Sequence, residues 1–514
     1  MKAVTVEAMR ALDARVIASG ISGYTLMERA GRGACREMMR VLELRLPPSS
    51  RQAFTILAGK GNNGGDAYVV ARCLAEAHQA VTVFAGCAPT ELSGDALAHA
   101  IRLPTSVPVQ VVEQLPAASL RPGQVVVDGL LGTGFKGPLR PPYERFLTQV
   151  NASGCPVVAL DVPSGLDGDT GQVGSVAIEA DWTLTMALPK QGLLTAAGLR
   201  HCGCLRCVDL EIPESFLAAV PAAGPEAIML PDARALVRRR PREAHKGVFG
   251  HVLIVGGSGL YGGAPFLAAG GAARAGAGLV TVAIPAGCEP LCAVPASLIV
   301  RRLADDGGGC FGTASLAALA DLARTRDAMV FGPGLGDARE GRDVLAQAIR
   351  CGLPLVVDAD GLRLLAAQPS LTLEARAAMV LTPHPGEMKG LLVGFGCHGA
   401  LSSPRVEQAR ALASRSGALV VLKGLGTVVA APDGRVALNT SGTAALATAG
   451  TGDVLAGIIG ALLGQGLAGW DAARLGVFVH GLAAEMGLEA ERSMTADDLV
   501  ERLRVAWSEI HPLA

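Results

Sequence analysis

The side chains of this chain that could do chemistry concentrate in glycine-rich segments, each placed just after an apolar run. The first is Gly59-Lys60-Gly61-Asn62-Asn63-Gly64-Gly65-Asp66. Glycines let a backbone turn sharply and approach a ligand, and a helix starting there points free N–H groups and positive dipole at an anion. That is the physics of a pyrophosphate cradle. Two Asn and an Asp add oxygen ligands suited to a hard monovalent cation beside the phosphates. A plain tight turn is the bland alternative. The second segment, from Asp128 through Gly132-Thr133-Gly134-Phe135-Lys136-Gly137-Pro138, combines a carboxylate, backbone donors and an ammonium. The third, Asp161-Val162-Pro163-Ser164-Gly165-Leu166-Asp167, offers Asp161 as an acid–base group, although an Asp just past a strand is often only a cap.

The second half repeats the style with other residues. His245-Lys246-Gly247-Val248-Phe249-Gly250-His251 precedes Gly256-Gly257-Ser258-Gly259, a phosphate-ready turn that lacks the Gly-Lys-Ser/Thr of a Walker loop. Pro333-Gly334-Leu335-Gly336, Asp358-Ala359-Asp360-Gly361 and Thr382-Pro383-His384-Pro385-Gly386-Glu387 follow. His384, between two prolines, is confined to a loop. Lys423-Gly424-Leu425-Gly426-Thr427 ends another apolar run, and Gly450-Thr451-Gly452-Asp453 opens a long apolar helix. A Gly-Thr-Gly-Asp turn at a helix start gives an anion hole for a transferred phosphoryl group. Its carboxylate is set to take a proton from the acceptor hydroxyl.

The elements that must position these segments alternate between strand and helix. Strands are expected at Phe54–Ala58, Val81–Ala85, Val125–Asp128, Val157–Asp161, Trp182–Met186 and Cys207–Leu210, with helices at Tyr24–Leu44 and Gly65–Ala77. A second series is expected at His251–Val255, Leu279–Ile284, Ala328–Phe331, Leu355–Asp358, Met379–Thr382 and Ala418–Lys423. A hairpin, Val428–Ala430 with Arg435–Leu438, and helices Gly452–Leu463 and Trp470–Gly487 complete it. Such alternation predicts an α/β fold with parallel sheets covered on both faces. Prolines 221, 225, 231 and 241 interrupt the pattern, placing a boundary near 218–228 between a domain of 1–220 and one of 226–514.

Bulk properties exclude several classes. Lys plus Arg is 45 against 46 for Asp plus Glu, which leaves no basic excess for nucleic acid or anionic membranes. The basic run Arg238-Arg239-Arg240 with Arg242 reads as a solvated linker. Met1 to Arg10 carries charge where a secretory signal needs an apolar core. The apolar stretch from Val454 to Gly469 is too short and too glycine-rich for a good membrane span. Twelve scattered cysteines suit reduced cytoplasmic thiols, and a homo-oligomer is expected. His201-Cys202-Gly203-Cys204-Leu205-Arg206-Cys207 holds zinc-type ligands without a second pair at finger spacing; entry into a strand is the simpler reading.

Gly-Asn-Asn-Gly-Gly-Asp, Gly-Thr-Gly-Phe-Lys-Gly-Pro and Asp-Val-Pro-Ser-Gly-Leu-Asp, within about residues 5–215, resemble the NAD(P)H-hydrate epimerase family. The resemblance implies a Rossmann-like three-layer domain. It assigns substrate contact to Asn62, Asn63, Gly64, Gly65 and Asp66, to Gly132, Thr133, Gly134, Phe135, Lys136, Gly137 and Pro138, and to Tyr143 and Asp161. It assigns potassium to Asn63, Asp128 and Ser164. Lys136 and Asp161 suit proton exchange as the hydrated ring opens and recloses at C6.

The segments of the second half, over about 230–510, resemble the NAD(P)H-hydrate dehydratase family of ribokinase-like fold. Only the extra Gly262-Gly263 around the tyrosine departs from the pattern. This resemblance implies that Ala264, Gly336, His384 and Asp453 contact the hydrated nicotinamide. It gives the nucleotide Lys423, Gly424, Leu425, Gly426, Thr427 and Gly452, with Mg2+ and ADP as cofactors and NADHX and NADPHX as substrates. Asp358, Asp360 and Glu387 are candidates for water-mediated magnesium contact. ADP is favoured over ATP because the fused order looks bacterial. A ribokinase-class small-molecule kinase would explain Asp453 but not the first half. A nucleotide-binding scaffold would not need Asn63, Asp128, Asp161, His384 and Asp453.

Overall fold

A computed structural model describes residues 1–45, 53–116, 119–237, 239–290, 293–336, 340–487 and 491–511. Arg238 of the basic run lies outside them. The chain folds as two compact units, Met1–Met229 and Leu230–Ala514.

The first unit is built on seven strands: β1 (Ala53–Ala58), β2 (Val81–Ala85), β3 (Val109–Val111), β4 (Gln124–Gly129), β5 (Val157–Leu160), β6 (Trp182–Met186) and β7 (Cys204–Val208). They lie in the order β3-β2-β1-β4-β5-β6-β7, every neighbouring pair parallel. β1, β4, β5 and β6 are near-continuous buried apolar runs, as a parallel sheet covered on both faces requires. The chain winds away from β1 in one direction through β2 and in the other from β4, so a crevice opens between β1 and β4. Such switch points are where doubly wound sheets bind ligands. In the register Leu57 stands beside Asp128, and Asp128 beside Ala159. A short strand, β8 (Glu226–Ile228), closes the unit, its Ala227 N–H donating to the Met1 carbonyl at 2.8 Å.

The second unit carries β9 (His251–Val255), β10 (Leu279–Pro285), β11 (Ile299–Leu303), β12 (Ala328–Phe331), β13 (Leu355–Val357), β14 (Met379–Leu381), β15 (Leu419–Leu422), β16 (Val428–Ala430) and β17 (Val436–Asn439). Within this unit the order is β11-β10-β9-β12-β13-β14-β15-β16-β17. The strands are parallel from β11 to β15, and β15-β16-β17 is antiparallel. A second switch point lies between β9 and β12. The predicted hairpin is present, with Val429 opposite Ala437. No helix among the described residues is long and apolar enough to cross a membrane.

Some elements differ from expectation. β7 starts at Cys204, earlier than Cys207, and the helix after β1 starts at Asn62, ahead of Gly65. β3 and β11 lie at sheet edges and are largely exposed, which lets Gln110, Arg301 and Arg302 interrupt the apolar run that marks a strand. The helix Val6–Ala18 was not anticipated at all.

Candidate functional sites

The first unit encloses a cavity of about 690 Å3 over the β1–β4 crevice. Its wall includes Asn62, Asn63 and Asp66 after β1, Gly132 to Lys136 and Pro138 after β4, and Tyr143, Asp161 and Lys190. The helix Asn62–Glu76 starts inside the glycine segment, so its first amides face the cavity. Gly64 is required by close approach: a Cβ there would lie 1.9 Å from the Gly59 carbonyl oxygen.

Asp161 follows β5 in a left-handed conformation, φ 62°, which non-glycine residues rarely adopt. Its Oδ1 accepts from the Met186 N–H at 3.0 Å, from Thr185 Oγ1 and from the ammonium of Lys190. Lys190 is 1% exposed, and its other donors reach the Met186 carbonyl and Thr185. Lys136 stands elsewhere. It is 67% exposed and its Nζ lies 3.8 Å from Asp169. The ammonium on Asp161 is therefore Lys190, not Lys136, which had been expected to share the proton exchange. Lys190 is the residue sequence reasoning missed. Its signal was a lone Lys in Ala187-Leu188-Pro189-Lys190, just past a predicted strand end. Two further carboxyls face this pair. Burial, then the charges of Asp161 and Asp13, hold Asp66 well above the carboxylate range. Burial pushes Asp13 up to about 6, with Lys190 opposing and Asp161 reinforcing.

Beside them is a second buried cluster. Asp128, fully buried at the end of β4, accepts from Ser164 Oγ at 2.6 Å, from the Ser164 N–H at 2.8 Å and from the Leu130 N–H at 3.2 Å. Burial still pushes its carboxyl up to about 6. Asn63 gives Nδ2 to the Leu131 carbonyl at 2.8 Å, and its buried Oδ1 has no hydrogen-bond partner. An orphaned amide oxygen beside a buried carboxylate and a serine is a donor set that fits a hard monovalent cation.

The His201–Cys207 cluster is arranged as structure. His201 Nδ1 meets the Ile178 carbonyl, Cys207 Sγ the Ala187 carbonyl, and Cys204 Sγ accepts from Arg45. Among the described residues no three His, Cys, Asp or Glu converge as a metal site.

The second unit collects its candidates at the carboxyl ends of β9, β12, β13, β14 and β15. Lys423 Nζ donates to Asp358 Oδ1 at 2.8 Å and lies 3.9 Å from Glu387. Burial works against the ammonium, but those two carboxylates outweigh it and hold Lys423 above its ordinary value. Gly452, in the first turn of the helix Thr451–Gly464, faces the same ammonium: a Cβ there would meet Lys423 Nζ at 3.2 Å. The next residue is Asp453. Burial first, then Asp358, push its carboxyl up to about 7, while Lys423 opposes. Beneath the turn, buried His480 donates from Nε2 to the Thr451 carbonyl at 2.8 Å, and burial lowers the ring to about 4, so it is neutral.

His384 caps the helix Pro385–Gly394. Its Nδ1 accepts from the Gly386 and Glu387 N–H groups, and Glu387 accepts from the His384 N–H at 2.7 Å. With Nδ1 so used, Nε2 carries the proton on a ring that is 56% exposed. Gly336 donates its N–H to Asp360 at 2.9 Å, while Ala264 opens the helix Ala264–Arg274. The Lys423–Thr427 loop rests on Arg405, whose guanidinium donates to the carbonyls of Leu422, Lys423 and Leu425. Gly424 has φ 138°, and a Cβ there would lie 2.9 Å from Arg405 Nη2. Neither Arg405 nor His480 could be found in sequence, because Arg405 at the start of the helix Arg405–Ser416 and His480 inside the helix Gly469–Glu485 carry no local motif.

Two α/β units, each with a lysine ion-paired among surplus carboxyls and a helix that starts in a glycine segment, define a two-site nucleotide-handling protein. Comparison with known proteins specifies the kind. Residues 23–192 match the family described as YjeF-related protein N-terminus, and residues 252–504 match NAD(P)H-hydrate dehydratase. The bifunctional NAD(P)H-hydrate repair enzyme Nnr of Salinibacter ruber is 41% identical over 530 residues, covering 98% of this chain and 96% of that protein. That of Coxiella burnetii is 37% identical over 500 residues and 97% of each chain. A crystal structure of ADP/ATP-dependent NAD(P)H-hydrate dehydratase from Bacillus subtilis aligns at 29% identity and TM-score 0.48, over 56% of this chain and all of that one. The chain belongs to the family of bifunctional NAD(P)H-hydrate repair enzymes.

Proposed function

We propose that this chain restores hydrated nicotinamide cofactors: its first unit interconverts the R and S epimers of NADHX and NADPHX, and its second dehydrates the S epimer at the expense of ADP. The observation that carries this reading is Asp453 at the head of the helix Thr451–Gly464, with Lys423 against Gly452.

In the second unit, the first turn of that helix and Lys423 receive the transferred phosphoryl group, and Asp453 takes the proton of the C6 hydroxyl. Hydroxide is a poor leaving group and phosphate a good one. When C6–O breaks, its electron pair leaves with phosphate and a proton is lost from C5, so C5=C6 forms. Lys423 to Thr427 and Gly452 hold the nucleotide; Ala264, Gly336 and His384 hold the nicotinamide. Asp358, Asp360 and Glu387 would hold, through water, a magnesium ion that neutralises charge on the nucleotide.

In the first unit, Asn62 to Asp66 and Gly132 to Pro138 cradle the pyrophosphate side of the substrate, and Tyr143 and Asp161 meet its ring. Asn63 Oδ1, Asp128 and Ser164 would hold potassium, whose charge would keep Asp128 ionised and fix the two phosphate-facing loops. Cytoplasmic work suits the eleven described cysteines, all free thiols.

The test is absorbance at 340 nm on a mixed-epimer NADHX pool with Mg2+, K+ and either ADP or ATP. Recovery of the whole pool as NADH is expected, faster with ADP. Recovery that stops at the S fraction would remove the epimerase, and a stable phosphorylated product would replace the dehydratase by a kinase.

A further inference from the structure

The cavity of the first unit is closed in part by the chain's first helix, Val6–Ala18. Met9, Asp13 and Ile17 lie one turn apart on the helix Val6–Ala18 and line the cavity. That helix is fixed beside Lys190. Val4 forms a parallel bridge with Lys190, its N–H donating to the Pro189 carbonyl and its carbonyl accepting from Gln191, both at 2.9 Å. The Val6 N–H donates to Asp169 Oδ1 at 2.7 Å.

Asp13 has no structural reason to be an acid. Aspartate is a poor residue for a helix interior. Among the described residues no group hydrogen-bonds its carboxyl, and that carboxyl faces a cavity that already holds the Asp161–Lys190 pair. The charged groups around it are Lys190 after β6, Asp161 after β5, Asp66 on the helix Asn62–Glu76 and Arg10 on its own helix. Lys60, Asp95 and Arg140 stand elsewhere on the wall.

We propose that Asp13 is the second proton carrier of the epimerase, paired across the cavity with Asp161. The proposal rests on the epimerase reading given above. Asp161, ion-paired with Lys190, takes the proton of the C6 hydroxyl. The N1–C6 bond breaks, its electron pair stays on N1, and C6 becomes an aldehyde carbon. Asp13 gives its proton to N1. Rotation about C5–C6 presents the other face of the aldehyde. N1 then attacks C6 and returns its proton to Asp13, while the new hydroxyl takes one from Asp161. Neither carboxyl is changed at the end. Two acids in one site, one ion-paired with an ammonium and one raised by burial, are what such an exchange requires.

The full chain carries its own control, because dehydration of the S epimer reports the second unit in the same sample. In Asp13→Asn, conversion of R-NADHX to NADH should fall by about 10²-fold with dehydration of S-NADHX unchanged. The wild-type epimerase rate should decline at high pH, with a midpoint at or above about 6, as Asp13 loses its proton. Asp13→Asn should lose that limb, and Asp13→Glu should restore part of the rate together with it. An Asp13→Asn rate within about threefold of wild type, or an unaltered pH profile, would overturn the proposal. So would equal losses in Asn and Glu variants with an early-melting first unit, which would make Asp13 structural. A wild-type chain that does not convert R-NADHX at all would sink the epimerase reading itself.

Discussion

Each unit places one ion-paired lysine among more carboxyls than it can neutralise, but the two spend the surplus differently. In the first, Lys190 is sealed at 1% exposure and committed to Asp161, while burial raises the carboxyls of Asp13 and Asp66. In the second, Lys423 pairs with Asp358, remains partly open beside a helix N-terminus, and leaves Asp453 poised near neutrality. Under the reactions proposed above, the first arrangement would move protons and return them, and the second would couple one proton to a phosphoryl transfer. One lysine among surplus carboxyls thus recurs in both units, and what separates them is the exposure of that lysine, 1% for Lys190 against 19% for Lys423.

That contrast can be broken most sharply at the two central carboxylates. Asp453→Asn should cost the dehydratase about 10³-fold in kcat while R-to-S epimerisation, followed by separating the two epimers, is untouched. A loss under tenfold would end its role as base. Next, Lys190→Met should lower epimerisation about 10²-fold, whereas Lys136→Met should cost less than tenfold in kcat; the reverse order would restore Lys136 to the chemistry. The third effect is on pH. Asp453 must be ionised to act, so dehydratase kcat should climb about tenfold per pH unit below a midpoint near 7 and level above it. Asp360→Asn, by removing one of the charges that raise Asp453, should move the midpoint down. A flat profile from pH 5 to about 8 would contradict the assignment. The smallest effect is expected at Gly424→Ala, where the new Cβ meets Arg405 and the backbone is left-handed. Nucleotide Kd should weaken about tenfold by calorimetry, with epimerisation unchanged.

Much of this was readable from residues alone. Glycine segments, strand ends and Gly450-Thr451-Gly452-Asp453 are local signals, because turn chemistry and helix starts are written within a few neighbours. The edge strands β3 and β11 were not readable, since largely exposed edge residues carry little apolar signal. Lys190 and Asp13 were hidden for a different reason. Lys190 is marked only by its apolar neighbours, and Asp13 reads as one more polar residue of a helix; only the fold brings them against Asp161. Arg405 was invisible because its partners are carbonyls, which every sequence supplies.

The support Arg405 gives its loop has a consequence for kinetics. With three carbonyls of the Leu422–Leu425 stretch turned to one guanidinium, the peptide planes there are oriented before any nucleotide arrives. Ordering entropy spent during folding is not spent again on binding. The loop therefore behaves as a rigid template, and ADP and ATP should associate with it at similar rates and differ in residence time.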